Sequence, residues 1–522
     1  MAQLKRDLNT SGILLASVSA IIGSGWLFGS LYAAQMAGPI AIFSWFIGGI
    51  SVALVAFCFA ELATLFPQAG GMGTFAHATH GRGSSFIVSW VSWLAFVIIS
   101  PIEVQAVIQY MGNYVDNLTT TIDAAQHLTA KGFAVAVALL ACLAAVNAVS
   151  VKFLSKTNTL FTIWKLLIPI TIVRLFLFAA HPVANLTSQG GFAPYGLHGV
   201  FASLSVSGIV LAFNGFQPGI ALAGETRNPQ RNIPIAILGS LAICMVIYCA
   251  LQFAFILAVP PALLQNGWSH LNFEGVAGPL AGLSHILGFH WAANMLYIDA
   301  LISPLACALI FFAAASRTSY AMSQEKFLPR FFGRLNHKGV PFSGIVVTFF
   351  ISIFVFLIFH GWQELASFYA AAICFCNAFV PLSLFRIRKS QVYSEHSFRV
   401  PMYKIFSLAA FYISNLMFFW CGWETIFKLD IAIAIGVLCF AGMNFFNKEE
   451  STHIFEGLAP SLFAYIALFS IVSKLGSYGN GLSVLPMPFD MLVIAVVSTV
   501  VFKIDQFNKD VVLCQSQKYL NT

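Results

Sequence analysis

The chain is 522 residues long, with 59% apolar and 9% charged residues and a mean hydropathy of +0.84. Soluble domains carry roughly 25% charged residues, so a water-soluble fold is disfavoured from the outset. The formal charge of +7 is spread over many short loops, which makes it a topology signal and not a nucleic-acid footprint.

Apolar runs near twenty residues recur along the chain, each long enough to cross about 30 Å of hydrocarbon as a helix. The first ten lie near 12 to 36, 40 to 66, 86 to 110, 132 to 150, 159 to 180, 200 to 224, 233 to 258, 291 to 316, 341 to 360 and 364 to 385. Four more follow at 404 to 424, 428 to 446, 456 to 475 and 487 to 503. Lys5 and Arg6 precede the first run, which is too long for a signal-peptide core and lacks a small-residue cleavage site; it reads as a retained first helix.

Gly23-Ser24-Gly25 interrupts the first run near its middle. A helix that unwinds there frees backbone groups for a ligand, whereas the alternative is close helix packing through small residues. Glu61 closes the second run and reads as an interfacial or gate ion pair. His77 and His80 share a loop with Arg82 and, with no further ligand beside them, read as solvated loop residues. In the third run Glu103 follows Pro101, whose ring bends the helix and frees a carbonyl. Glu103 is a proton-coupling candidate, the alternative being a position near the external surface. Lys165 lies mid-way along the fifth run, too deep to reach the interface easily, and is the second proton-coupling candidate; otherwise it is a fixed cation held by carbonyls. Arg174 is nearer the outer end, where it either snorkels or recognises an acidic substrate as a gate or cavity residue.

Asn214-Gly215 interrupts the sixth run, five helices after the first interruption. That is the spacing of two inverted five-helix repeats in which each first helix is broken. Ile99-Ser100-Pro101 recurs as Ile302-Ser303-Pro304 five helices later, in the helices such a repeat would pair. The loop at 259 to 290 carries Pro260, Pro261, Gly267, Gly278 and Pro279 and is placed over the outer mouth. Asp299 falls in the outer part of the eighth run and reads as an interfacial or gate group. Cys374 and Cys376 form the closest cysteine pair among ten; with the others inside apolar runs, neither a disulfide framework nor a zinc motif is indicated.

Orientation follows from sorting all 26 Lys and Arg with the N-terminus placed in the cytoplasm. Cytoplasmic loops collect twenty-one; Lys131, Lys428 and Lys474 fall outside, and Lys165 and Arg174 lie within the fifth run. This is a strong positive-inside asymmetry, and it fits fourteen helices with both ends cytoplasmic. The pattern therefore predicts an all-α, multi-pass protein of the cell membrane. Its transporter core would span 1–400, with repeats at about 11–180 and 200–385, peripheral helices at 401–505 and a cytoplasmic tail at 506–522.

Three motifs in order carry a family resemblance. They are Ile21-Ile22-Gly23-Ser24-Gly25-Trp26-Leu27-Phe28; Glu61-Leu62 through Phe66-Pro67-Gln68-Ala69-Gly70-Gly71; and Phe213-Asn214-Gly215-Phe216-Gln217 followed by Ala223-Gly224-Glu225-Thr226-Arg227-Asn228-Pro229 and Arg231-Asn232-Ile233-Pro234. With these the chain resembles the amino acid, polyamine and organocation transporter superfamily, and within it the amino acid:proton symporters of the aspartate-permease type. The resemblance implies ten core helices in two inverted halves and a substrate site at the breaks. The α-carboxylate would meet Ser24 and the amide of Gly25, and the α-ammonium would meet carbonyls of Ile21, Leu211 and Asn214, with Gly215 beside them. Helix-end electrostatics favour the same polarity, with N–H groups attracting an anion and C=O groups a cation. Phe213 resembles a gating aromatic, Phe311 is placed near the same cavity, and Lys165 resembles the lysine that replaces a sodium ion in sodium-independent relatives. Many superfamily members carry Glu where this chain has Gln217, which weakens a proton-sensing role there.

The leading expectation is a secondary symporter that takes up an amino acid, aspartate or glutamate in the closest resemblance, with a proton as coupling ion and lipid as its surroundings. An exchanger of amino acids, or of an amino acid for a polyamine, is the alternative on the same fold. A membrane-embedded enzyme would need paired carboxylates, an H-E-x-x-H or a Walker lysine, and the sequence has none. No cofactor or metal is expected.

Overall fold

The computed structural model describes residues 10–66, 71–122, 125–149, 151–180, 184–187, 189–217, 228–273, 278–336, 339–390, 398–446 and 460–507. Motif residues 67–70 and 218–227 and the tail from 508 lie outside the described residues. A chain that must satisfy its backbone polar groups without water does so within helices, and helices dominate. The first run is severed into α1 (Thr10–Ile21) and α2 (Gly25–Ala37), followed by α3 (Ala41–Leu65) and α4 (Gly71–Met111). Gly81, with φ at 81°, bends α4 ten residues in, where a side chain would strain the backbone. After an antiparallel hairpin of β1 (Thr119–Ile122) and β2 (Ala125–Leu128) come α5 (Ala130–Val149), α6 (Val151–Phe178) and the short α7 (Ala184–Thr187).

The sixth run is also broken, into α8 (Gly196–Val206) and α9 (Ile209–Phe213), which ends at Asn214 in an extended conformation. The remaining helices are α10 (Pro229–Ala258), α11 (Pro279–Ile286), α12 (His290–Gln324), α13 (Phe342–Ile358), α14 (Gly361–Lys389), α15 (Tyr403–Phe419), α16 (Trp423–Phe446), α17 (Pro460–Leu475) and α18 (Phe489–Phe507). Each of the fourteen apolar runs thus contains a helix or a broken helix. Among the described residues, eight segments are individually long and apolar enough to cross a bilayer.

Helix neighbours come in matched sets. The second span, α3, packs on the broken sixth, and the seventh, α10, on the broken first; α1 packs on α6 as α8 and α9 pack on α14. Likewise α4 meets α14 as α12 meets α6, and α4 meets α5 as α12 meets α13. Adding or subtracting five converts one member of each set into the other, which is what a pseudo-twofold axis between inverted repeats produces. The later helices brace this core, with α15 against α14 and α3, α16 against α14 and α4, and α18 against α15. Buried surfaces concentrate on α4 and α14. The outer helices leave Phe350, Phe354, Leu438 and Val496 exposed, apolar side chains suited to lipid contact.

Three placements differ from expectation. His77 and His80 lie on the first turns of α4, not in a loop, and the His80 side chain is packed 3.2 Å from Asp505 of α18. Arg386 of α14 holds that same carboxylate with two nitrogens, at 2.6 and 3.0 Å, and donates to the Thr79 carbonyl at 2.5 Å. Asp299 is fully buried on α12 and forms none of the described ion pairs, so it is no interfacial or gate bridge; the helix turns it toward α6. Glu61 pairs with Arg388 of α14 and accepts the Val400 N–H at 2.6 Å.

Candidate functional site

Severing α1 from α2 exposes the last carbonyls of one and the first amides of the other. Every carbonyl at the α1 end finds a partner. Lys165 Nζ donates to the Ser19 and Ile22 carbonyls, both at 2.8 Å. The Ala20 carbonyl accepts from Cys307 Sγ at 3.4 Å, and the Ile21 carbonyl from the Gly23 N–H at 3.0 Å and, at 3.5 Å, from the Tyr248 hydroxyl. Lys165, fully buried on α6, thus sits where helix-end carbonyls concentrate negative potential.

On the amide side, the Ser24 N–H donates to Glu103 Oε2 at 2.7 Å. A carboxylate from α4 therefore occupies the opening of α2. Gly23 is required there because a Cβ would run into that carboxyl and approach Cys307 Sγ to 3.0 Å. The Ser24 hydroxyl accepts from Trp362 Nε1 at 2.8 Å. Trp362 opens α14 and lies over Gly208, whose φ of 75° and contact with the indole leave no space for a side chain. Phe28 and Tyr32 stand against the same indole, with ring centroids at 5.0 and 5.9 Å. The result is an aromatic cover on the hairpin side of the break.

The second break is tied back by its own asparagine. Asn214 Nδ2 donates to the Val210 carbonyl at 2.7 Å, its backbone N–H to the Leu211 carbonyl at 3.2 Å, and its Oδ1 accepts from Gln217 Nε2 at 2.9 Å. Between the breaks lies a small cavity of about 10 Å³, no more than a single water needs, lined by Gly23, Gly25, Ile99, Glu103, Asn214 and Phe311, among others. Its walls are apolar apart from Glu103, Asn214 and backbone groups.

Ile21, Gly25, Leu211, Asn214, Glu103 and Phe311 all line this cavity. Ser24, Gly215, Lys165 and Gln217 stand one layer behind, through the contacts given above and through Gly215, which abuts Ile21. Two candidates are corrected. The Phe213 ring is not in the lining: it packs edge-on against Trp45 and Tyr248, at 5.8 and 5.4 Å, because the last turn of α9 faces α3 and α10. Arg174 is exposed on α6, far along from Lys165, and belongs to the outer surface and not to a gate. Sequence reasoning missed Trp362, Cys307 and Tyr248. The repeated Ile-Ser-Pro of α12 pointed to the helix that carries Cys307, but nothing local marked Trp362, which stands 338 residues from Ser24.

Two severed spans that face each other across a small cavity in a multi-pass helical protein define a secondary transporter. The amino acid permease family model matches residues 8–422, and the chain belongs to that family. It is 34% identical to the glutamate/serine transporter AimA of Bacillus subtilis (strain 168), over 96% of this chain and 94% of that one. It is 31% identical to the aspartate-proton symporter of the same organism, covering 95% of each, and 26% identical to its methylthioribose transporter over 84% and 93%.

Proposed function

We propose that this permease takes up a small amino acid, aspartate or glutamate first among them, together with a proton. The observation that carries the reading is the bond from the Ser24 N–H to Glu103. The opening of α2 is an anion site by construction, and a protein carboxylate already sits on it. A proton on Glu103 removes that competing charge and frees the amide, so substrate carboxylate and proton bind in each other's favour. The α-carboxylate is then received by Ser24 and the Gly25 amide, and the α-ammonium by carbonyls of Ile21, Leu211 and Asn214, with Gly215 keeping the two breaks close. Lys165 holds the α1 carbonyls as a metal ion would and exchanges its proton during the cycle. The acidic substrate class is supported by what the two Bacillus subtilis relatives carry.

In the same reading, residues 1–400 form the moving core, with repeats at about 11–180 and 200–385, helices in 401–505 brace it, and both termini lie in the cytoplasm at the cell membrane. The test is uptake of a panel of labelled amino acids into proteoliposomes, with imposed pH and sodium gradients varied separately. Accumulation of aspartate or glutamate driven by the pH gradient alone supports the proposal. A requirement for internal amino acid, with no response to the pH gradient, replaces it with exchange.

A further inference from the structure

The aromatic cover over the first break has two sides. Beneath it lies the cavity between the breaks, of about 10 Å³. Above it, on the hairpin side, lies a second cavity of about 280 Å³ whose lining includes Tyr32 and Trp362 of the cover itself. That is close to the roughly 300 Å³ at which ligand pockets begin, so with the cover shut the larger space is the one that holds an arriving solute. In the topology proposed above, this is the outer side.

Three elements wall the space above that aromatic floor. Gln109 comes from the last turn of α4, Gln126 and His127 from β2, and His360, Gln363 and Glu364 from the start of α14. The hairpin is fixed in place by Gln105 Nε2, which donates to the Gln126 carbonyl at 3.0 Å, and by the His127 ring, stacked on that of His360 with centroids at 4.5 Å. Gln109 is only 9% exposed and its side chain lines the cavity, yet among the described residues its amide has no hydrogen-bond partner. The same is true of the Gln363 amide and the Tyr32 hydroxyl. A buried amide without a partner is costly, and with two more open polar groups on the same space it calls for a ligand that completes them.

The charges decide which chemistry that ligand has. The side chain of His360 does not cap α14, so the first-turn amides and the positive end of the helix are directed at the cavity. Glu364, the acid in the lining, is already occupied: it accepts the His360 N–H at 2.6 Å and pairs with Lys428. What is left open is a helix end flanked by two side-chain amides that can donate, and this favours an anion.

We propose that the outer cavity receives the carboxylate of the incoming amino acid, with Gln109 and Gln363 as donors beside the α14 N-terminus, and holds it on the Tyr32 and Trp362 floor until the cover moves. Gln109 then sets how tightly solute is captured and takes no part in the inner site.

This inference rests on the amino acid uptake reading, and the experiment separates the two. Full-length protein in proteoliposomes is assayed in two ways. In uptake of labelled aspartate, Gln109→Leu is expected to raise KM at least about tenfold, the effect of one lost bond to a charged group, with the maximal rate near wild type. Gln109→Glu, which keeps the shape and adds a like charge, raises KM further. In the second assay Ile122→Cys, placed in the cavity lining, is combined with Gly25→Leu to close the inner site, and its modification by a membrane-impermeant thiol reagent is followed. Aspartate should slow that modification several-fold, and aspartate diamide, which has no carboxylate, should not. Unchanged KM in both Gln109 variants overturns the receiving site, as does a lower maximal rate at unchanged KM. Protection by chloride and not by aspartate overturns it in favour of an inorganic-anion site. No protection at all, with uptake by the wild type intact, overturns the receiving site and leaves the transport reading. Protection by aspartate in a protein whose wild type takes up no amino acid supports the receiving site and overturns the transport reading.

Discussion

Gly25 and Gly215 do the same thing on opposite sides of the site. A Cβ on Gly25, which opens α2, would lie 2.8 Å from the Ala212 Cβ near the end of α9; a Cβ on Gly215 would lie 2.5 Å from the Ile21 Cα at the end of α1. Each break therefore leans on the final turn before the other, as expected for two positions exchanged by the pseudo-twofold. Backbone contact across the axis holds the two breaks against one another, and only glycine permits it.

Gly25→Leu is accordingly expected to abolish uptake in a protein that still inserts and elutes as wild type. Overpacking of this kind costs about 1–3 kcal/mol, which a large helical core survives but a cavity between two breaks does not. Gly215→Ala should act in the same direction, more weakly. Labelled aspartate uptake alongside size-exclusion profiles decides it, and undiminished transport by Gly25→Leu removes α2 from the site.

Glu103→Gln keeps the shape of the side chain and an acceptor for the Ser24 N–H, but not the charge that titrates. In the wild type, apparent substrate affinity should rise as pH falls, because a proton on Glu103 releases the amide. In Glu103→Gln that dependence should flatten, with uptake at low pH the better preserved. Apparent KM measured across a pH series checks this; a variant that retains the full pH dependence assigns the proton to another group.

How far the sequence carried the reading depends on the kind of interaction. The fourteen helices were legible because apolar runs and charge sorting are local signals, and the breaks because Gly23-Ser24-Gly25 and Asn214-Gly215 have no reason to sit in a continuous span. Which way a side chain turns was not. Phe213 stands beside Asn214 in the chain yet points at Trp45, and Asp299 looked peripheral until α6 packed over it. Trp362 and Ser24 meet only because α14 folds back across the hairpin side of the first break, a long-range fact with no local trace. His80 reads as a loop residue because the third apolar run begins only near 86, whereas α4 begins at Gly71.

Lys165→Met removes the ammonium but keeps an unbranched side chain in the space. The Ser19 and Ile22 carbonyls then lose their donor, at a cost of about 1–3 kcal/mol for each buried group left unpaired. Proton-driven uptake is expected to fall to background. Sodium added to Lys165→Ala, where space opens beside the same carbonyls, tests whether a cation supplies what was lost; unchanged proton dependence in either variant would count against the role of Lys165.

Trp362→Phe deletes the N–H that reaches the Ser24 hydroxyl while leaving a ring for Phe28 and Tyr32 to pack on. The lost bond is worth about 0.5–1.5 kcal/mol, so apparent KM should rise a few-fold with little change in the amount of folded protein. Trp362→Ala should go further, because the cover over the break is then missing. Solvent access provides a second readout: a cysteine at position 24 should label with a membrane-impermeant thiol reagent faster in Trp362→Ala than in the parent. Equal labelling rates would show that Trp362 closes nothing.

Asp505 joins the last helix to the core through Arg386 and His80, so its loss should be felt far from the site. Removing one partner of a largely buried pair costs about 3–5 kcal/mol, because the remaining charge is left unpaired. Asp505→Asn is therefore expected to lower the thermal midpoint in detergent by several degrees and to leave the apparent KM for substrate near wild type. Arg386→Met combined with Asp505→Leu should recover part of that stability, since it leaves neither charge behind. If Asp505→Asn instead raises KM without lowering the midpoint, the bridge tunes the cycle through α4 and α14 and is not a brace.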